Sequence, residues 1–282
     1  MPVNAEDWLR SLPTVLSRQR AVIGRLLEHA RSDERVRLFV VGCSIGRGAA
    51  DKFSDVDTLV GVRERTFDDM VRSSTELVRA GGEVLDMFQQ IIAPTSPDER
   101  RSQHTYAHYM DGVELDLALA IARETQQPRP DWVVLYDPDE TVRGEALSKA
   151  ASTDDVRAWG FNCLVRLHAC TKYLTRGSLW EAHLMLERAR ADYWSVWATS
   201  ETVADPMYGL TAVLDDPRMP MPADIAQTVA LLDRSALAHA ALALLDLLLA
   251  ARPGAEAALS ETPTAPAPLA THVRAELRKL SG

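Results

Sequence analysis

No part of this chain restricts its fold more than residues 42–62. The apolar run 36–41 (VRLFVV) reads as a buried strand and ends at Gly42. Gly42-Cys-Ser-Ile-Gly-Arg-Gly48 follows, and its three glycines in seven positions let the backbone approach a ligand closely. A short helix over 44–50 is entered through this turn. Free backbone N–H groups at its start, with the Ser44 hydroxyl beside them, form a place for phosphate. A Gly-rich turn alone is equally compatible with a purely structural role.

The next element narrows the choice. Asp55 and Asp57 open a strand-like stretch, 55–62 (DVDTLVGV). Residues i and i+2 of a strand share a face, with Cα atoms roughly 6.5 Å apart. Two carboxylates so placed repel each other unless a cation lies between them, which suits one or two Mg²⁺ ions. Val56, Thr58 and Val60 take the buried face. A third carboxylate comes from a hairpin in which 105–110 and 113–120 flank Asp111-Gly112, a strong turn signal. Glu114 and Asp116 share one face of the second strand, Leu115 and Leu117 the other. Asp116 lies deeper in an apolar strand, where an ion without a partner is costly. It is favoured as third metal ligand or general base, with Glu114 as the substitute.

The elements around this centre give a mixed α/β (α+β) first half. Helices are expected over 5–31, interrupted at Pro13, and over 66–80, closed by Gly81-Gly82; strands are expected at 83–93 and 133–136. From about residue 153 long Ala/Leu/Arg-rich segments predict helices at 153–175, 178–200, 208–214 and 223–251. Four prolines among small residues mark 252–268 as a flexible connector, before a last helix at 269–280. The domain reading is 1–140, mixed sheet, then 141–282, all helical. The run 236–251 is too short for a membrane span and carries His239 and Asp246, so a buried helix is expected.

The spacing Ser44-x-Gly-Arg-Gly-x-x-Asp-x-x-Ser-Asp-x-Asp57, with a later acidic strand, resembles the polymerase-beta-like nucleotidyltransferase superfamily. Within it the chain is most similar to the antibiotic (aminoglycoside and lincosamide) nucleotidyltransferases. One departure is Cys43, where that family usually has the Gly preceding Ser. Trp132-Val-Val-Leu-Tyr-Asp-Pro138 also resembles the family's link from catalytic domain to helices. The resemblance implies Mg²⁺-dependent transfer of a nucleoside monophosphate, AMP from ATP, to a hydroxyl, with release of pyrophosphate. It places the metals on Asp55, Asp57 and Asp116, and the β/γ phosphates on Ser44, Gly46 and Arg47. It also implies a helical domain that builds the acceptor pocket, and some relatives complete that pocket across subunits, which allows a homodimer.

In the helical half, Glu181, Arg188, Asp192 and Ser195 form a polar stripe that either meets an amine-rich acceptor or is a solvated face, the second being the simpler account. Lys172 and Tyr173 are candidate contacts to phosphate or base, against a surface lysine and a core tyrosine. His104 and His108 share a strand face without a third ligand, so packing is expected of them. Cys163 and Cys170, seven apart on a helix, read as core.

The net charge of −9 disfavours nucleic acid and anionic membranes, and a cationic, hydroxylated small acceptor suits it better. Clustered Arg35, Arg37, Arg100 and Arg101 leave some room for RNA. Three cysteines without metal-ligand spacing, and no secretory leader, point to a cytoplasmic setting. The competing readings are modification of a protein or RNA, as in toxin–antitoxin relatives, and a non-catalytic nucleotide-binding module.

Overall fold

The computed structural model describes residues 3–92, 101–125, 129–144, 150–215, 218–262 and 267–282. Arg100 and part of the expected connector, 263–266, lie outside them. The chain divides into two compact units, Met1–Leu147 and Ser148–Gly282.

The first unit is built on a six-stranded sheet. Helix α1 (Ala5–Ser11) starts where the Asn4 side chain accepts the N–H groups of Glu6 and Asp7, each at 3.1 Å. Pro13 ends it, one 3₁₀ turn follows, and α2 spans Ser17–Ser32. Then come β1 (Val36–Val41), the short α3 (Cys43–Arg47), β2 (Val56–Val62), α4 (Phe67–Ala80), β3 (Val84–Ile92), β4 (Ser102–Tyr109), β5 (Glu114–Ile121) and β6 (Val133–Tyr136). The sheet order is β3-β4-β5-β2-β1-β6. Among the described strands only β2 and β5 are parallel, and every other neighbouring pair is antiparallel.

Alternation along the strands sorts the two faces. Phe39, Val41, Val56, Val60, Leu115, Leu117 and Leu119 pack with the apolar sides of α2 and α4 into one core. The hairpin forms as the Asp111-Gly112 signal predicts: Gly112 takes φ 81° and Tyr109 N–H reaches the Val113 carbonyl at 2.9 Å. On the opposite face a smaller cluster of Leu38, Val40, Ala122 and Val134 covers one end, and Asp57 and Asp116 stand on that same face.

The second unit is helical: α5 (Thr153–Thr175), α6 (Leu179–Ser200), α7 (Leu210–Asp215), α8 (Arg234–Ala258) and α9 (Pro268–Ser281). Ser152 and Asp155 cap α5 reciprocally. Cys163 and Cys170 are core residues, as expected, and Leu237, Leu244 and Leu248 of α8 join them. Helix α8 is long and apolar enough to cross a membrane by length and composition, yet its apolar side forms this core.

In the helical unit both ends of α8 differ from the sequence reading. Residues 223–233 are not helical beyond a 3₁₀ turn at Ile225–Thr228; α8 starts only where Asp233 accepts the Ala236 N–H at 2.9 Å. At its other end α8 runs through Pro253 instead of yielding to a connector at 252. Fully buried Ala255, and Glu256 bound to Arg252 at 2.7 Å, hold that last turn against the proline's missing N–H.

Candidate active site

The site grows from the ends of β1, β2 and β5. β1 stops at Val41, and the chain turns sharply through Gly42 and Cys43, the latter at φ 51° in the left-handed region. Helix α3 is shorter than the expected 44–50, because Gly48 at φ 74° ends it with its N–H turned back to Ile45 and Ser44.

Asp131, a buried residue that sequence reasoning passed over, fixes this turn. Its Oδ2 accepts the Cys43 N–H at 3.0 Å, so a carboxylate from just before β6 caps α3. Its backbone carbonyl approaches Gly46 so closely that a Cβ there would fall 1.9 Å from the oxygen. Gly46 is therefore glycine for packing against Asp131. Ser44 is half-buried on α3, and Arg47 is exposed.

The 51–54 loop delivers Asp55. The Asp51 carboxylate accepts the Phe53 N–H at 2.8 Å, and Ser54 Oγ accepts the Asp51 N–H at 2.9 Å. From beneath, buried Gln19 donates to the carbonyls of Lys52 and Ser54 at 3.2 and 3.0 Å. Asp55 itself precedes the strand, which begins at Val56.

Parallel pairing sets Asp57 directly opposite Asp116. Both are half-buried, whereas Glu114 is exposed. Burial first, then the Asp55 charge, pushes the Asp57 carboxyl up to about 6. Burial likewise raises Asp116, opposed by His104 and aided by Asp55. Asp55 thus acts on both of the other carboxylates. The Cys43 thiol lies against Asp57, and burial together with that charge lifts it to about 12.

The histidines pack across the hairpin rather than in the core. β4 aligns His104, Tyr106 and His108 on the face of Glu114 and Asp116, with His104 Nδ1 4.0 Å from Asp116 and His108 Nδ1 3.7 Å from Glu114. Among the described residues, no three His, Cys, Asp or Glu side chains are placed to hold a metal unaided.

Lys172 belongs to the second unit, exposed on α5. The stripe on α6 is not one continuous solvated face. Asp192 and Ser195 are buried, and Asp192 pairs with Arg166 of α5, while Glu181 and Arg188 stay outside. Arg35 is committed to Asp33, which it meets at 2.6 Å.

The sequence model of the streptomycin adenylyltransferase family matches residues 17–158, just over half of the chain and the whole carboxylate centre. No curated protein matches it. Among solved structures, an aminoglycoside 6-adenyltransferase from Bacillus subtilis aligns at 15% identity with a TM-score of 0.40, covering 93% of this chain and 98% of that one. A nucleotidyltransferase-like protein from Exiguobacterium sibiricum aligns at 12% identity and a TM-score of 0.35, covering 94% and 89%. Both likenesses are distant, and the assignment rests on the match over 17–158. The chain is a nucleotidyltransferase and belongs to the streptomycin adenylyltransferase family.

Proposed function

We propose that this protein transfers AMP from ATP to a hydroxyl of a small cationic antibiotic of the aminoglycoside type. The observation that carries the reading is the pairing of Asp57 with Asp116, with the Asp55 charge bearing on both. Three repelling carboxylates are a poor arrangement by themselves and a good one around a cation. Hard carboxylate oxygens suit Mg²⁺, which commonly takes only one or two protein carboxylates and fills its shell with water and substrate phosphate. Asp55 and Asp57 would hold it, and Asp116, the candidate third ligand, is left to act as base.

Bound Mg²⁺ would neutralise triphosphate charge and make the acceptor hydroxyl more acidic. The residues do the rest. Ser44, Gly46 and Arg47 line the turn that receives the β and γ phosphates. The acceptor oxygen attacks the α-phosphorus as the bond to the bridging oxygen breaks, and pyrophosphate leaves with that electron pair. Asp116 takes the hydroxyl proton. Positioning and charge neutralisation carry most of the acceleration in such transfers. The net charge of −9 favours an acceptor bearing amines.

The test is to incubate the protein with Mg²⁺, each nucleoside triphosphate, and streptomycin, other aminoglycosides and lincosamides in turn. Pyrophosphate release with an acceptor heavier by one nucleotide supports the reading, and Asp57→Asn abolishes both while the fold stands. Turnover surviving in that variant overturns the carboxylate assignment. Labelling of protein or RNA with no small acceptor modified moves the function to macromolecular targets.

A further inference from the structure

A second polar site lies in the first unit, away from the carboxylates. β2 and β5 run parallel from Asp57 and Asp116 to Val62 and Ile121, so their far ends lie roughly 16 Å away. There a cavity of about 430 Å³ is walled by Arg37, Arg63, Arg65 and Arg123. Four arginines converge here on a protein whose net charge is −9.

Two of the four are already balanced. Half-buried Arg37 grips Asp139 with both arms of its fork, Nε to Oδ2 at 2.6 Å, and Arg123 meets Glu64 at 2.7 Å. Among the described residues, Arg63 and Arg65 make no ion pair within 4 Å, although the Arg63 charge bears on Asp139, which lines the cavity together with Glu64. The cavity thus carries a surplus of two positive charges, with its other arginines oriented by carboxylates. Ala122, of the smaller cluster on the carboxylate face of the sheet, gives it an apolar side, whereas the Val62 side chain is turned into the core beneath α2 and α4. Guanidinium forks match phosphate oxygens in planar, two-pronged contacts, and a volume of this size is that of a small-ligand pocket.

We propose that this cavity binds a small phosphorylated dianion, a phosphate monoester whose organic part rests beside Ala122. Arg63 and Arg65 meet the phosphate. The site is separate from the transfer centre and does not depend on the function proposed for it. Five residues of β2 separate the two, so one triphosphate at Asp57 does not fill both.

The experiment is calorimetric titration of inorganic phosphate, then AMP, into the whole protein in EDTA at fixed ionic strength. It is repeated with Asp57→Asn, with Arg63→Gln/Arg65→Gln, and with Arg65→Gln alone, a change at an exposed side chain that guards against misfolding. Saturable binding in the wild type and in Asp57→Asn, tighter for AMP than for phosphate and weakened at least tenfold by the arginine changes at unaltered melting temperature, is the expected result. The proposal is overturned by no saturable binding, by binding indifferent to both arginine variants, or by binding lost in Asp57→Asn. An equal response to chloride at the same ionic strength also sinks it, because that is general screening. So does a short RNA that binds through Arg63 and Arg65 when phosphate and AMP do not.

Discussion

The carbonyl oxygen of Asp131 occupies the space that a side chain on residue 46 would need, 1.9 Å from where a Cβ would lie. A backbone oxygen cannot swing aside as a flexible side chain can. Gly46→Ala must therefore displace either α3 or the segment entering β6. The expected cost is about 3 kcal/mol, seen as a fall in Tm on the order of 10 °C. A melting curve matching the wild type would show that the turn and Asp131 are not packed this tightly.

Asp57 should make stability depend on pH when metal is absent. Its carboxyl is raised in the fold to about 6 from an ordinary value of 3.8, chiefly by burial and then by Asp55. The folded state therefore holds a proton that the unfolded chain has released between those values. Stability from this group is complete below about 3.8 and is lost as pH rises through about 6. Because the group is partly solvated, about 1 kcal/mol is the expected size after screening. Denaturant melts in EDTA should show Asp57→Asn gaining on the wild type from pH 5 to 7.5, with Mg²⁺ closing the gap. Parallel curves across that range would dismiss the coupling.

Glu114 and Asp116 share a strand face but not a setting. Asp116 is half-buried opposite Asp57, whereas Glu114 is exposed beside His108. Asp116→Asn is expected to lower kcat by at least ~10²-fold, in the range seen when a positioned base is removed. Glu114→Gln should stay within about threefold of the wild type, as surface changes usually do. Steady-state kinetics on the two variants decides it; a larger loss at Glu114 would reverse the roles.

The Cys43 thiol should be slow to alkylate. Held up at about 12 by burial and by Asp57, it exposes very little thiolate at pH 8. Iodoacetamide labelling followed by peptide mass should run on the order of 10³-fold slower in the native than in the denatured protein. Asp57→Asn removes one of the causes and should quicken it. Labelling at the denatured rate would mean that the thiol is not held against Asp57.

Local pattern made much of this legible. Alternation placed Val56, Thr58 and Val60 inside, and Asp111-Gly112 announced the hairpin that carries Asp116. What stayed hidden depends on contacts between distant residues. Gln19 braces the loop before Asp55 from more than thirty positions away, and Asp131 caps α3 from nearly ninety. No spacing along the chain encodes either contact. The shared strand face of His104 and His108 is legible, but only the β4–β5 register brings His104 within 4.0 Å of Asp116. On α6 a polar stripe looked uniform until Arg166 of another helix drew Asp192 inward. Pro253 looked like a break, although buried neighbours keep the helix going around it.

The parallel register of β2 and β5 has one more consequence. Side chains on a strand alternate strictly, so moving β5 by a single position would replace Asp116 with a leucine on either side. The reactive centre has no partly aligned form: the strands either mate in phase or present hydrocarbon to Asp57. Insertions and deletions in the long excursion from β2 to β5 leave this phase untouched wherever the two strands still find each other. Within that excursion only the turns between α4, β3, β4 and β5 have this latitude, because the elements themselves are held in the core and in register.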